Sequence, residues 1–277
     1  MTMIKVNRVE WLRIIFLMLV AGFVLFPMVA TLFGGFKSLG ELRTNPFGIP
    51  MEWEFEHYQA IFADGSIWRL MKNSLVIAGL SVLLTLLVGT MTAFTFSHIK
   101  FAGYRYVYSY FLMGMMFPAA AAILPLFLKI RDLQLLDTLP GIVIPQVAFG
   151  LGFSILLFRT FFEQLPKELF DAARVDGCSY MRFYWHVILP LSTPILATVG
   201  VFVLVGSWNN YLLPLLVLNS DEMYPWTLGI MQYRGEYGIA WNKILAYVSV
   251  TITPAIAFFL LAQKYIVAGL TGGAVKG

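Results

Sequence analysis

Six long apolar stretches dominate the chain, approximately Ile14 to Phe33, Ser74 to Phe96, Tyr106 to Leu128, Leu139 to Phe158, Leu191 to Leu218 and Ile244 to Gln263. Each approaches or exceeds the roughly 20 apolar residues that a helix needs to cross a hydrocarbon core about 30 Å thick. Lipid offers the backbone no hydrogen-bond partner, so only helices or closed barrels cross it, and runs of this length specify helices. The pattern predicts an all-α membrane protein of six transmembrane helices, a single transmembrane domain over 1–277. The first run follows Lys5, Arg8 and Arg13. It is too long for a signal peptide and lacks a small-x-small cleavage site, so it reads as a retained anchor helix. Between the spans lie polar connectors at 34–72, 161–190 and 219–241, and a tail covers 264–277.

Composition agrees with that pattern. Apolar side chains make up 59% of the 277 residues and charged ones 12%, and mean hydropathy is +0.78. Soluble domains carry roughly a quarter charged residues, so a water-soluble domain and a disordered chain are both excluded. The 24 Phe, 13 Tyr and 7 Trp suit lipid-facing surfaces and interfacial belts. The single cysteine, Cys178, allows neither an internal disulfide nor a cysteine-cluster metal site, and no metal is expected. A formal charge of +4 comes from scattered basic residues nearly balanced by acids, which is membrane flanking charge and not a nucleic-acid surface. Six spans put both termini on one side. That side holds 11 of the 19 Lys and Arg residues, which favours cytoplasmic termini.

Within the six spans there is no Asp, Glu, Lys, Arg or His. Proton-coupled transporters place such groups at membrane depth, so that class is disfavoured, whereas sodium can be held by carbonyls and hydroxyls and stays open. The chain also lacks the G-x-x-x-x-G-K-[ST] loop that cradles nucleotide phosphates, so any ATP that drives it is bound by another chain. Three scattered histidines, His57, His98 and His186, do not make the clustered site of a membrane-embedded enzyme. No catalytic residue and no cofactor are assigned.

The connector 161–190 is the most informative one. It opens Leu165-Pro166-Lys167-Glu168, with Pro at a helix start and an acid in the first turn. Leu165, Leu169, Ala172, Ala173 and Val175 are expected to share one face of a short helix, with Lys167 and Asp171 paired on another. Gly177 suits a left-handed helix end. A second short helix, about Tyr180 to Val187, would carry Phe183, Tyr184 and Trp185 before Leu189-Pro190 re-enters the membrane. By pattern alone, an amphipathic connector lying on lipid headgroups fits equally well.

The run Glu168-Leu-Phe-Asp-Ala-Ala-Arg-Val-Asp176-Gly177, then Phe183, Leu189-Pro190-Leu191 and Pro194, resembles the EAA loop of ABC importer permeases. Asp171 stands where the family usually has Glu before Ala-Ala. Phe36-Lys37-Ser38, Asn73-Ser74, Trp208-Asn209-Asn210-Tyr211 and the tail Gly269 to Gly277 extend the resemblance over the whole length, to the second permease of carbohydrate importers of the maltose and glycerol-phosphate type. It implies a type I importer permease fold in a bacterial or archaeal plasma membrane. It also implies inward transport of a sugar-type solute, with a second six-span permease, two cytoplasmic ATPases that bind ATP and Mg, and an extracytoplasmic solute-binding protein as partners.

In such a system the EAA loop is the coupling helix, which assigns Glu168, Asp171, Ala172, Ala173, Asp176 and Gly177 to ATPase contact. For Asp171 and Asp176, solvation and helix capping are the simpler alternative. Gly272, Gly273 and Lys276 of the tail are assigned to the ATPase on the same resemblance. Trp208, Asn209, Asn210 and Tyr211 carry the aromatic and amide groups that bind sugars, and are candidates for the solute pathway or for hydrogen bonds between helices. Tyr224, Trp226, Tyr233 and Arg234 in 219–241 are candidates for binding-protein contact or for an interfacial belt. An ATP-independent secondary transporter or channel is the alternative function.

Overall fold

The structure is a computed structural model that describes the backbone of residues 8–235 and 238–271, and the side chains of these except at 8, 9, 234, 235, 238, 262 and 264–271. The expected tail contacts Gly272, Gly273 and Lys276 lie outside the described residues, as does the side chain of Arg234. The helices in chain order are α1 (Arg8–Gly34), α2 (Leu39–Thr44), α3 (Glu56–Ala63), α4 (Ser66–His98), α5 (Tyr104–Met116), α6 (Ala119–Asp132) and α7 (Leu139–Phe162). There follow α8 (Lys167–Val175), α9 (Tyr180–Phe183), a π turn at Tyr184–Ile188, α10 (Leu189–Leu191), α11 (Thr193–Trp208), α12 (Leu212–Val217), α13 (Trp226–Gly229) and α14 (Trp241–Thr271). The only strands among the described residues are Arg234–Gly235 and Gly238–Ile239, two antiparallel residues each.

Four helices, α1, α4, α7 and α14, are long and apolar enough to cross a membrane, and two bent pairs bring the number to six. The expected third span, Tyr106 to Leu128, is two helices, α5 and α6, bent by 103°. The break falls at Phe117-Pro118. Pro118 has no N–H to donate, and its ring holds Phe117 extended, at φ −81° and ψ 121°. The expected fifth span, Leu191 to Leu218, is also discontinuous. It bends by 77° where the Tyr180–Leu191 segment meets α11, and it stops again at Asn209 to Tyr211 before α12. The last helix does not end near Gln263 but continues to Thr271.

The chain forms two compact units, one from the chain up to Ile67 with Ile230–Thr253, the other from Trp68–Gly229 with the chain from Pro254 onward. In the first, α1 is exposed from Glu10 to Val29 and is long and apolar enough to cross a membrane. The segment after α1 packs Phe36 against Tyr58 at 4.3 Å between ring centroids, with Trp53 at 5.2 Å. Gly35 lies so close to α14 that an added methyl would sit 2.7 Å from the Ala246 Cα. Lys37 is fully buried, and its Nζ donates to the carbonyls of Asn45 and Gly48, both at 2.6 Å. Asn242 on α14 donates to the Lys37 carbonyl at 3.1 Å. The ammonium therefore ties down the turn 38–51 from inside, helped by Glu41, whose carboxylate accepts the Met51 N–H at 2.8 Å.

In the second unit the core is a phenylalanine-rich cluster. Ala93, Phe94 and Phe96 of α4, Ile155, Phe158 and Phe162 of α7, Phe183, Tyr184 and Ile188 of the α9 and π-turn segment, and Ile195 and Val199 of α11 are all buried in it. Helices α5 and α7 approach closely at Gly152, where a methyl would lie 2.9 Å from the Phe111 carbonyl oxygen. Small residues at such crossings let helices pack where lipid supplies no hydrophobic drive between them.

Lys37→Met removes the two charge-assisted hydrogen bonds while keeping the apolar stem. Amide exchange at Gly48 and Met51 is expected to speed up by about tenfold or more, since bonds to a charged donor contribute about 1.5–3 kcal/mol each. Unchanged exchange across 41–51 would show that the turn holds without Lys37.

Candidate functional site

Helix α8 is built by its ends. Pro166 stands at its N-cap, where no N–H is missed, Glu168 lies in its first turn and Arg174 in its last, both favourable to the helix dipole. At the C-terminus Gly177 has φ +69°, its N–H donates to the Arg174 carbonyl at 3.1 Å, and the Cys178 N–H donates to the Ala173 carbonyl at 2.8 Å. That double bond pattern is a Schellman turn, and glycine is the residue that adopts its left-handed position without a Cβ clash. Cys178 and Ala173, at its two ends, both pack on the phenylalanine core.

The inward face of α8 differs from the expected one. Leu165, Phe170, Ala173 and Cys178 meet the core, whereas Leu169 is 38% exposed, Val175 is 88% exposed, and Ala172 is exposed as well. Phe170, absent from the expected face, sets the rotation. Its ring lies 5.3 Å from Phe183, 5.5 Å from His98 and 5.7 Å from Tyr180, and the largest apolar side chain gains most from burial. Lys167 and Asp171 do not form the expected pair among the described ion pairs. Glu168, Asp171, Ala172, Asp176 and Gly177 are all exposed, and Ala173 is half-buried. The result is an exposed strip of apolar and charged groups on a helix whose other side is anchored in the core.

The chain then continues through α9, capped by Ser179, whose Oγ accepts the Arg182 N–H at 3.3 Å. The expected helix to Val187 changes to a π turn, closed by the Leu189 N–H donating to the Tyr184 carbonyl. Pro190 has no N–H for an ordinary helical bond at that level. Tyr184 and Thr90 of α4 share a buried hydroxyl hydrogen bond of 2.7 Å.

A cavity of about 420 Å³ lies in the same unit, at the break between α11 and α12. Gln146 of α7 stands in its wall, with Oε1 accepting from the Ser207 hydroxyl at 2.7 Å and the Ser81 hydroxyl at 3.1 Å. Its Nε2 is covered and has no partner among the described residues. The residues Trp208 to Tyr211 separate here. Trp208 is in the core at 2% exposure, beside Trp226, while Asn210 lines the cavity. Asn209 is exposed and bonds its own helix through Nδ2 to the Val205 carbonyl, and Tyr211 is exposed. The expectation that the four lie on continuous helix fails because Pro214 cannot donate to the Asn210 carbonyl. That carbonyl instead accepts the Thr227 hydroxyl at 2.9 Å, and the Trp208 carbonyl accepts the Trp226 Nε1–H at 2.7 Å. Gln146 is not ionisable, and its only signal in the sequence is that it is the one amide in α7.

Asn73, Ser74 and Asp137 clamp the segment 219–229. Asn73 Nδ2 donates to the Glu222 and Tyr224 carbonyls at 2.7 and 3.0 Å, and Ser74 Oγ accepts the Trp226 N–H at 2.8 Å. Asp137 Oδ1 accepts the N–H groups of Asn219 and Ser220 at 3.0 and 3.1 Å and the Ser220 hydroxyl. Trp226 is thus internal, Tyr224 is half-buried, and Asn219, Asp221 and Glu222 face outward. Tyr233, in the other unit, lies 5.4 Å from Tyr247, and burial, with the negative charge of Asp64 adding to it, pushes its phenol up to about 12.

A family model described as "Binding-protein-dependent transport system inner membrane component" matches residues 82–270. The chain is 32% identical over 255 residues to the diacetylchitobiose uptake system permease protein NgcG of Streptomyces coelicolor, covering 91% of this chain and 84% of that protein. It is also 32% identical over 267 residues to the arabinooligosaccharides transport system permease protein AraQ of Bacillus subtilis, covering 95% and 94%. A chain of the crystal structure of a bacterial ABC transporter involved in the import of the acidic polysaccharide alginate superposes with a TM-score of 0.79 at 24% identity, covering 96% of this chain and 99% of that one, and has the same fold.

The Ser220 and Asn219 N–H groups, in that order, hold the Asp137 carboxyl below its ordinary value. A depressed pKa means that the clamp is present above the ordinary carboxylate value and is lost only as pH falls through the lowered one. Exchange protection at Asn219 and Ser220, corrected for intrinsic rates, is expected to persist at about pH 4, where an ordinary aspartate is half protonated. Loss of protection in step with an ordinary carboxylate would contradict the clamp.

Proposed function

The chain belongs to the family of binding-protein-dependent transport system inner membrane components, and we propose that it is the permease through which such a system imports a sugar or sugar derivative. In this reading separate ATPases, which bind ATP and Mg, drive the chain through α8, a solute-binding protein delivers the cargo from outside, and a second six-span permease completes the pathway. The whole chain serves as one permease domain, with both termini and the loop 161–190 in the cytoplasm. It carries no catalytic site of its own.

One observation carries the proposal. Helix α8 exposes Leu169, Ala172 and Val175 among Glu168, Asp171 and Asp176, while Phe170 on its other side is seated on rings belonging to α4 and α9. An exposed apolar strip flanked by charge fits a protein cleft, and a rigid seat passes a push on α8 to the helices beneath it. The Schellman turn at Gly177 fixes the angle at which the strip is presented. Relatives named for diacetylchitobiose and arabinooligosaccharide uptake support a carbohydrate cargo. The helix break at Asn209 to Tyr211, with Asn210 on a cavity and Trp208 behind it, is the proposed solute pathway. The segment 219–241 is the proposed contact for the binding protein: in one unit Asp221 and Glu222 are exposed, Tyr224 is half-buried and Trp226 is internal, and in the other Tyr233 is half-buried, with Arg234 next to it in the chain. Gly272, Gly273 and Lys276 are proposed to reach the ATPases.

Asp171→Lys and Val175→Asp change only exposed atoms of α8. In the reconstituted importer each is expected to lower binding-protein-stimulated ATP hydrolysis by about tenfold or more, the effect of losing one well-placed interface residue, with membrane insertion intact. Full stimulated hydrolysis in both variants would contradict coupling through α8.

A further inference from the structure

The cavity at the α11–α12 break has mostly apolar walls crossed by one polar strip, with Ser154 as a further polar residue whose hydroxyl donates to the Gly150 carbonyl at 2.9 Å. Ser81, Gln146, Ser207 and Asn210 form the strip, and Phe149, Phe153 and Phe202 stand among the apolar groups. We propose that the strip is a subsite at which this subunit itself holds the hydroxyl groups of a neutral sugar-type solute; the inference rests on the importer reading above.

Volume, charge and hydrogen-bond supply argue for it. At about 420 Å³ the cavity falls within the range of small-molecule pockets. Not one residue lining it is ionisable. An anionic solute would enter with no compensating charge, whereas a neutral one loses only hydroxyl hydration, which the strip replaces. The aromatic faces supply apolar surface for sugar C–H groups, with Phe153 and Phe202 edge-on at 5.7 Å.

The strip is also pre-set. Ser81 and Ser207 both donate to Gln146 Oε1; Ser81 is fully buried and fixes the amide from behind, while the partly exposed Ser207 oxygen keeps its lone pairs for a further donor such as a sugar hydroxyl. Asn210 spends its Oδ1 on the Leu213 N–H at 3.3 Å, and its amide N–H groups have no hydrogen-bond acceptor among the described residues. Gln146 Nε2 adds a covered donor without a partner among the described residues. A buried unpaired donor is costly, and proteins keep few of them. The donor is covered in this state, so a solute hydroxyl oxygen accepts from it once the amide turns toward the cavity.

The test uses the complete importer in proteoliposomes, with Ser207→Cys in a Cys178→Ser background. The substitution at 207 replaces one small hydrogen-bonding group by another. Cellobiose, maltose and xylobiose serve as neutral probes and digalacturonate as the acidic one. The proposal expects the introduced thiol to react with a small neutral thiosulfonate reagent, and a transported neutral probe to slow that reaction several-fold. Gln146→Met is expected to raise the probe concentration for half-maximal uptake by about tenfold. A thiol that is unreactive in every nucleotide state, or equally reactive with and without a transported probe, overturns the subsite while leaving the importer reading in place. ATP-driven uptake of digalacturonate alone overturns the neutral solute class. Absence of ATP-driven uptake of every probe removes the sugar-importer reading and the inference with it.

Discussion

Every backbone N–H and C=O inside a membrane has to find its partner within the protein, and the rest of this structure follows from how that demand is met. Where the helices are continuous the demand meets itself. Where prolines interrupt them, side chains take over. Pro214 frees the carbonyl of Asn210, and the break frees that of Trp208; Thr227 and the Trp226 indole each cap one. The partners lie next to each other on α13, which is held in turn by Ser74. One short helix therefore pays the debt of a broken span, and the break opens a cavity.

The same logic explains the rigidity under α8. Its terminal carbonyls are satisfied by the turn at Gly177, and its largest apolar residue is locked among Phe183, Tyr180 and His98. Little is left to bend between the exposed strip and the core shared by α4, α7 and α11. A helix closed at its C-terminus and seated on the core by one face suits the proposed role of coupling one chain to the motion of another.

Much of this was legible in the chain. Apolar run length specified the membrane class, and Pro166, Gly177 and the acids of the loop specified a short helix with a left-handed end. The limits of that reading are physical. Run length does not register whether a proline inside a span merely kinks it or breaks it, so it does not reveal the breaks at Pro118 and at Asn209 to Tyr211. Spacing alone does not carry side-chain size, and Phe170 decides the rotation of α8. Asn73 and Asp137 act on residues more than 80 positions away, a separation that no local pattern encodes. Gln146 was visible as a lone amide in an apolar helix, but its meaning depends on Ser81 and Ser207, which meet it only in the fold.

The central claim is that this chain works as one transmembrane part of an ATP-driven assembly. Its most direct test is affinity purification from the native membrane in mild detergent, with identification of every copurifying polypeptide and an assay of ATP hydrolysis. The account predicts a second six-span permease and an ATPase in the purified material, with hydrolysis that rises when a loaded binding protein is added. A chain that emerges alone, with no ATPase activity even after crosslinking in the membrane, would contradict it.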